Sequence, residues 1–131
     1  MAEKLLFTGE THVTGGRDGA ARSTDGSLDL KLPAPHPAAE NLFAIAWSAC
    51  FIGALEFAAS QRKVKLPETP SIDAKIDLFL ADNAFFLRAR LNVHVPGIDQ
   101  TLARELVDAA HQICPYSKAT RGNIDVTINL V

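Results

Sequence analysis

Hydrophobic and polar residues alternate in four stretches of the chain, and this period of two predicts half-buried β-strands. The stretches are residues 28–32, Ile72–Leu80, Phe85–Val95 and Ile124–Leu130. Asp25-Gly26 precedes the first stretch and Asp82-Asn83 separates the second from the third, and both dipeptides are typical of tight turns. Leu5–Val13, ahead of the glycine pair at residues 15 and 16, is a further predicted strand.

From about residue 39 to residue 62 the apolar positions follow a helical pattern and cover nearly every face of the predicted helix. At 1.5 Å per residue this helix is about 35 Å long. A helix that is apolar all round must be enclosed all round, and a chain this short offers few elements for that purpose. The sequence therefore predicts self-association that buries this helix between two subunits.

The run Leu42–Ala59 within this helix approaches the length of a membrane span. Ser48, Gly53 and Glu56 interrupt it, and a strongly patterned soluble sequence follows. We therefore expect a buried core helix and no membrane partner.

A second, shorter helix is predicted after Asp99, a residue that can cap a helix N-terminus. Its expected inner face carries Leu102, Leu106, Ala109, Ala110 and Ile113, and Pro115 helps to end it. A stiff connection containing Pro33, Pro35 and Pro37 precedes the long helix. The order of strands, long helix, two strands, helix and strand predicts an α+β fold in a single domain over residues 1–131.

The charge of the chain excludes some partners. The net charge is −2 and the isoelectric point is about 6.0, and no basic block is present that could bind nucleic acid or an anionic membrane. The short apolar stretch at the N-terminus does not resemble a signal peptide, and there are only two cysteines. We expect a cytoplasmic protein, in a reducing compartment.

Cys50 lies in the middle of the long helical run, in apolar company. Apolar surroundings raise the pKa of a thiol, and an unperturbed thiol is already only about 3% thiolate at pH 7. Cys50 is therefore either a packing residue or a reactive thiol that needs a cation nearby. Arg17, flanked by glycines, is the candidate cation, with Arg22 as a competitor, and Glu40 could orient Arg17 by pairing with it. Local sequence alone also allows a solvated Arg17 and a Glu40 that complements the helix dipole.

Cys114 opens the segment Cys114-Pro115-Tyr116-Ser117, just past the second helical pattern. It could be a core thiol, a metal ligand together with His111, or a resolving cysteine. The chain has no CxxC motif and its other histidines lie in unconnected segments, so no metal site is expected.

Several segments together resemble the Ohr branch of the OsmC/Ohr family, the organic hydroperoxide resistance proteins. The matching segments are Gly15–Gly19, Glu40–Ala44, Ser48–Ala54, His111–Ser117 and Ala119–Val126. The resemblance covers essentially the whole chain in order, and the Ser48-Ala49-Cys50-Phe51 helix combined with Cys114-Pro115-Tyr116-Ser117 is its most specific part.

The resemblance implies an OsmC-like fold, an intertwined homodimer and a thiol peroxidase. Cys50 would attack an organic hydroperoxide, and the resulting sulfenic acid would condense with Cys114 to a disulfide. Arg17 would stabilise the Cys50 thiolate and Glu40 would orient Arg17. No bound cofactor is implied, since the family's reductant is a dihydrolipoyl group carried on a partner protein.

An apolar wall from Phe43, Trp47 and Phe51 is expected to favour alkyl or fatty-acyl hydroperoxides over hydrogen peroxide. Two departures from the family pattern stand out: the proline-containing connection before Glu40 is short, and Trp47 replaces the usual tyrosine. Two alternatives are an OsmC-type peroxidase with broader peroxide use and a non-enzymatic binder of a hydrophobic ligand in the dimer cleft.

Overall fold

The structure is a computed structural model that describes residues 2–16, 19–32 and 38–131. The chain divides into two compact units, residues 1–39 and 40–131, and each is described by itself. The single domain that the sequence predicts over residues 1–131 stays a prediction. Pro33, Pro35 and Pro37 of the connection, and Arg17, lie outside the described residues.

The first unit contains a three-stranded antiparallel sheet in the order β1-β2-β3. The strands are β1 (Thr11–Thr14), β2 (Ala20–Ser23) and β3 (Asp29–Lys31). The strand predicted over Leu5–Val13 is wrong over residues 5–10, because the ladder begins only at Thr11, which pairs with Ser23 at the end of β2. Past this pair the Thr24 N–H donates to Glu10 O at 3.0 Å, and the chain then enters the Asp25-Gly26 turn, so the ladder is not extended.

The turn between β2 and β3 is the one that Asp25-Gly26 predicts. Asp25 Oδ1 accepts hydrogen bonds from the Ser23 hydroxyl at 2.6 Å, the Ser27 hydroxyl at 2.7 Å and the Ser27 backbone N–H at 2.9 Å. Together these bonds lower the pKa of Asp25 to about 2, and the bond from the Ser23 hydroxyl has the largest effect. Gly26 has a φ of 78°, which glycine adopts without strain.

The second unit combines a sheet with helices. Helix α1 (Ala38–Gln61) enters it and confirms the long helix predicted over residues 39–62. Strands β4 (Ser71–Ala81) and β5 (Ala84–His94) form an antiparallel hairpin, and β6 (Asp125–Leu130) pairs with β5 in parallel. Asp82 and Asn83 have φ values of 51° and 62°, the left-handed conformation that a two-residue hairpin turn requires.

Helix α2 (Gln100–Ile113) begins at the predicted cap, since Asp99 Oδ2 accepts from the backbone N–H groups of Thr101 at 3.0 Å and Leu102 at 3.3 Å. The predicted inner face is correct at Leu106 and Ala110 and wrong at Ile113, which is 44% exposed. Ala103 and Val107 are buried instead, so the buried stripe is rotated around the helix axis relative to the prediction.

Helix α3 (Pro115–Thr120) is not foreseen from the sequence, where Pro115 is expected only to end a helix. Pro115 occupies the first position of α3, where its missing N–H costs nothing and its fixed φ suits the helix. One residue, Cys114, therefore separates two helices.

The core of the second unit is built from α1, α2 and one face of β5. Its largest fully buried side chains are Trp47, Phe51, Leu55, Leu91, Leu106, Val93, Cys114 and Ser117. Within α1, residues 39–61 are long and apolar enough to cross a membrane, by length and composition alone, a test that core helices of soluble proteins also pass. Trp47, Phe51 and Leu55 of this helix are fully buried inside the unit, while 28% of its apolar window is buried, so the unit encloses one face of the helix.

Replacing the α2 cap in the variant Asp99→Ala is expected to lower the free energy of unfolding by about 1 kcal/mol, because two backbone N–H groups lose their acceptor. Urea denaturation measures the change. The control is Asp108→Ala, an exposed residue near the opposite end of the same helix, where a negative charge opposes the helix dipole. Equal losses in the two variants would contradict a specific role for the cap.

Candidate thiol site

Cys50 lies at the middle of α1 and is partly exposed. Its thiol borders an open apolar groove of about 510 Å³, formed between one face of α1 and the α2–α3 junction. The lining residues are Ala49, Cys50, Gly53, Ala54, Phe57, Ile113 and Pro115. Because four of these side chains are alanine, glycine or proline, the groove leaves the thiol accessible to an apolar molecule.

Cys114 is fully buried at the junction of α2 and α3. Its φ of −64° and ψ of 125° are those of an extended residue, and it ends one helix and begins the next. Its N–H donates to Ala110 O at 2.8 Å, and its carbonyl accepts from Lys118 N at 3.0 Å. The backbone that carries the second thiol is therefore anchored in both directions.

Burial raises the pKa of the Cys50 thiol, and the nearby Cys114 raises it further. Cys50 lines the same groove as Ile113 and Pro115, the two chain neighbours of Cys114, so the fold brings the two cysteines near each other although 64 residues separate them in sequence. Removal from water favours the neutral thiol, so a reactive thiolate at Cys50 requires a positive charge or strong hydrogen-bond donors. Arg17, which the sequence suggests for this task, lies outside the described residues, so its role stays a prediction.

Glu40 is in the first turn of α1 and is half-buried. Ten residues of helix separate it from Cys50, which is about 15 Å along the helix axis. Its carboxylate can therefore influence the thiol only through an intervening group. A carboxylate in the first turn also complements the positive end of the helix dipole.

The three aromatic residues expected to form a substrate wall are not among the residues that line the groove. Trp47 and Phe51 are fully buried in the core, and Phe43 packs edge-to-face on Trp47 with ring centroids 5.8 Å apart. Trp47 Nε1 donates a hydrogen bond to Ser117 Oγ at 3.1 Å, which explains why its polar atom tolerates complete burial. Direct contact of these rings with a substrate stays a prediction.

The sequence did not single out the residues that line the groove as site residues. Gly53, Ala54 and Phe57 follow Cys50 by three, four and seven positions, so helical spacing alone places them on its face. Ile113 and Pro115 flank Cys114, and their part in the groove depends on how α2 and α3 meet.

His111 packs near Phe51, with ring centroids 6.5 Å apart, and its buried Nδ1 has no hydrogen-bond partner within the part of the chain that the structure describes. Burial has the largest effect on the pKa of His111 and lowers it. The positive charge of Arg121 lowers this pKa further, and the negative charge of Asp108 raises it. His111 is therefore neutral near pH 7. Among residues 2–16, 19–32 and 38–131, no group of three or more His, Cys, Asp and Glu side chains is placed to hold a metal ion.

Comparison with known proteins places this arrangement in a family. The model of the OsmC-like protein family matches residues 27–129. An organic hydroperoxide resistance protein from Xanthomonas axonopodis pv. citri is 45% identical, with 98% of this chain and 96% of the relative covered.

Solved structures agree in fold. A crystal structure of an organic hydroperoxide resistance protein from Legionella pneumophila has a TM-score of 0.90 at 35% identity, covering 97% of this chain and 98% of the other. The organic hydroperoxide resistance protein OhrB of Bacillus subtilis has a TM-score of 0.87 at 39% identity, covering 97% and 100%. The chain therefore belongs to the OsmC-like family, in the branch of the organic hydroperoxide resistance proteins.

Proposed function

We propose that the protein is a thiol peroxidase that reduces organic hydroperoxides to alcohols. The observation that carries the proposal is the pairing of a partly exposed Cys50, at the edge of an apolar groove, with a buried Cys114 whose two chain neighbours, Ile113 and Pro115, line the same groove. Relatives across nearly the full chain are named organic hydroperoxide resistance proteins, which supports the same substrate class.

The chemistry divides between the two thiols. The Cys50 thiolate attacks the terminal oxygen of the hydroperoxide, the O–O bond breaks, and the alkoxide takes up a proton to leave as the alcohol. Cys50 is then a sulfenic acid. The Cys114 sulfur attacks the Cys50 sulfur, the S–O bond breaks, and the departing hydroxide combines with the thiol proton as water. The product is a Cys50–Cys114 disulfide.

The groove supports a preference for apolar peroxides. Its lining of alanine, glycine, phenylalanine, isoleucine and proline side chains can bury an alkyl or fatty-acyl group, whereas hydrogen peroxide has no such group to bury. The same surface could accept the aliphatic arm of a dihydrolipoyl group on a partner protein, which we propose as the reductant of the disulfide.

One equivalent of cumene hydroperoxide is expected to convert the reduced protein to a form lighter by two hydrogen atoms, detected by intact-mass spectrometry. Cys114→Ser should stop at a sulfenic acid on Cys50 that dimedone traps, and Cys50→Ser should not react. Continuous turnover is expected with dihydrolipoamide and not with glutathione.

Three other results would contradict parts of this proposal. No reaction at Cys50 would favour a protein that only binds a hydrophobic ligand. Equal rates with hydrogen peroxide and cumene hydroperoxide would favour an OsmC-type peroxidase with broad peroxide use. Turnover with glutathione would argue against the lipoyl reductant.

Arg17 is proposed to offset the burial that raises the pKa of Cys50, with Glu40 orienting it. A cation near a thiol favours the thiolate and lowers its pKa, so Arg17→Ala should move the midpoint of Cys50 alkylation to higher pH. Stopped-flow alkylation with iodoacetamide across pH 5 to 10 gives the midpoint. Cys50 should be labelled first, because Cys114 is fully buried.

The matched control is Arg22→Ala, since Arg22 is the competing arginine of the same unit and is exposed on β2. Its midpoint should equal that of the unmodified protein. A shift with Arg22→Ala and none with Arg17→Ala would transfer the role to Arg22.

We further propose a homodimer that covers an exposed stripe on α1. The stripe consists of Ile45, Ala49, Gly53 and Phe57, which recur every four residues and are all exposed, Ile45 at 63% and Phe57 at 57%. A Cβ added to Gly53 would meet no atom of the described residues within 4 Å beyond its chain neighbours and its own helix backbone, so the two small central residues leave room for a second helix to approach closely. A partner seated there would border the groove beside Cys50, because Ala49, Gly53 and Phe57 also line it.

Ala49→Arg is expected to convert the dimer to a monomer, because it places a charge at the centre of the apolar stripe. Sedimentation velocity should give twice the 14.1 kDa chain mass for the unmodified protein and the single mass for the variant. Gln61→Arg, an exposed change at the end of α1, is the control and should remain dimeric. A monomeric unmodified protein would contradict the proposed interface.

A further inference from the structure

A hydrogen bond between two fully buried side chains joins α1 to α3. Trp47 Nε1 donates to Ser117 Oγ at 3.1 Å, and both residues are 0% exposed. The bond spans 70 residues of sequence. Neither buried group can form a hydrogen bond with water instead. The helix arrangement that gives the indole N–H its acceptor is therefore favoured, and this restrains how α1 and α3 face each other.

The bond is placed symmetrically with respect to the two cysteines. Trp47 precedes Cys50 by three residues on α1, and Ser117 follows Cys114 by three residues at the third position of α3. On α1 the three residues amount to about 4.5 Å along the axis, or nearly one turn, and Cys114 is the extended residue directly before α3. A rotation of α1 or a slide of α3 that separated the thiols would therefore stretch this bond as well.

Helix α3 is tied to α2 at both of its ends, through the Cys114 N–H that donates to Ala110 O and through the Arg121 side chain that donates to His111 O, and these bonds leave its orientation towards α1 to other contacts. The helix is six residues long, and its buried residues are Ser117 and Thr120. The Thr120 hydroxyl donates within the same helix, to the carbonyl groups of Tyr116 at 2.9 Å and Ser117 at 3.2 Å. Ser117 therefore supplies a directional contact from α3 to α1, and Thr120 does not.

We infer that Trp47 and Ser117 are positioning residues that hold Cys114 at the place where its sulfur can bond to that of Cys50. A disulfide requires the two Cβ atoms to lie within about 3.5–4.5 Å, so small shifts of either helix weaken or strain it. The inference rests on the proposed function in that the disulfide is the one formed during peroxide reduction. The positioning itself acts on the thiol pair, whatever oxidant forms the bond.

The test is the equilibrium between the Cys50–Cys114 disulfide and a glutathione redox buffer, which needs no hydroperoxide. Ser117→Ala is expected to lower the effective concentration of the two thiols by about tenfold, because the buried indole N–H loses its acceptor and α3 is less restrained. Trp47→Phe should act similarly, and the double variant should be no worse than either single variant, as expected for one shared interaction.

Thr120→Val is the matched control. It removes a buried hydroxyl from the same short helix that makes no bond to α1, so it should lower the melting temperature without changing the effective concentration. A kinetic readout separates the steps: after cumene hydroperoxide, Ser117→Ala should form the sulfenic acid at the unmodified rate and close the disulfide about tenfold more slowly.

An effective concentration in Ser117→Ala within about twofold of the unmodified value would overturn the inference, as would additive effects in the double variant. Absence of any Cys50–Cys114 disulfide in oxidised glutathione would also overturn it. Formation of the disulfide by oxidised glutathione but not by a hydroperoxide would contradict the proposed function and leave the positioning role intact.

Discussion

The cost of removing a thiol from water is the constraint on which the site depends. Burial favours the neutral form of Cys50, yet the groove that buries it also makes it accessible to apolar molecules. The two thiols differ in their exposure. Cys50 keeps one side open to the groove, and Cys114 is enclosed completely at the α2–α3 junction. An accessible thiol next to a protected one is an arrangement suited to sequential attack and resolution, in which the second sulfur reacts only after the first.

Helix α1 serves both the core and this site. One face contributes Trp47, Phe51 and Leu55 to the interior, and another presents small residues around Cys50. This division explains why the helix is apolar on nearly every face. The buried indole of Trp47 needs an acceptor, and Ser117 provides it from α3, so one hydrogen bond joins the core face of α1 to the helix that follows Cys114.

The sequence predicted the long helix, the hairpin at Asp82-Asn83 and the Asp99 cap because each depends on local periodicity or turn chemistry. It overextended the first strand because strand length is set by the pairing partner. It also missed α3, since Pro115 can end one helix and begin another. At the site, the chain's pattern pointed to both cysteines, but the groove beside them depends on how α1 meets the α2–α3 junction, a tertiary contact that no local pattern encodes.

The groove beside Cys50 is wide because three of the residues that line it have very small side chains. Gly53 has no Cβ, and Ala49 and Ala54 have a single methyl group each, so the backbone of α1 itself forms much of one wall. Any substitution at Gly53, and any side chain larger than alanine at the other two positions, therefore fills the groove. Larger residues there narrow the range of molecules that reach Cys50, whereas shortening Phe57 or Ile113, the two bulky residues of the lining, opens the most space.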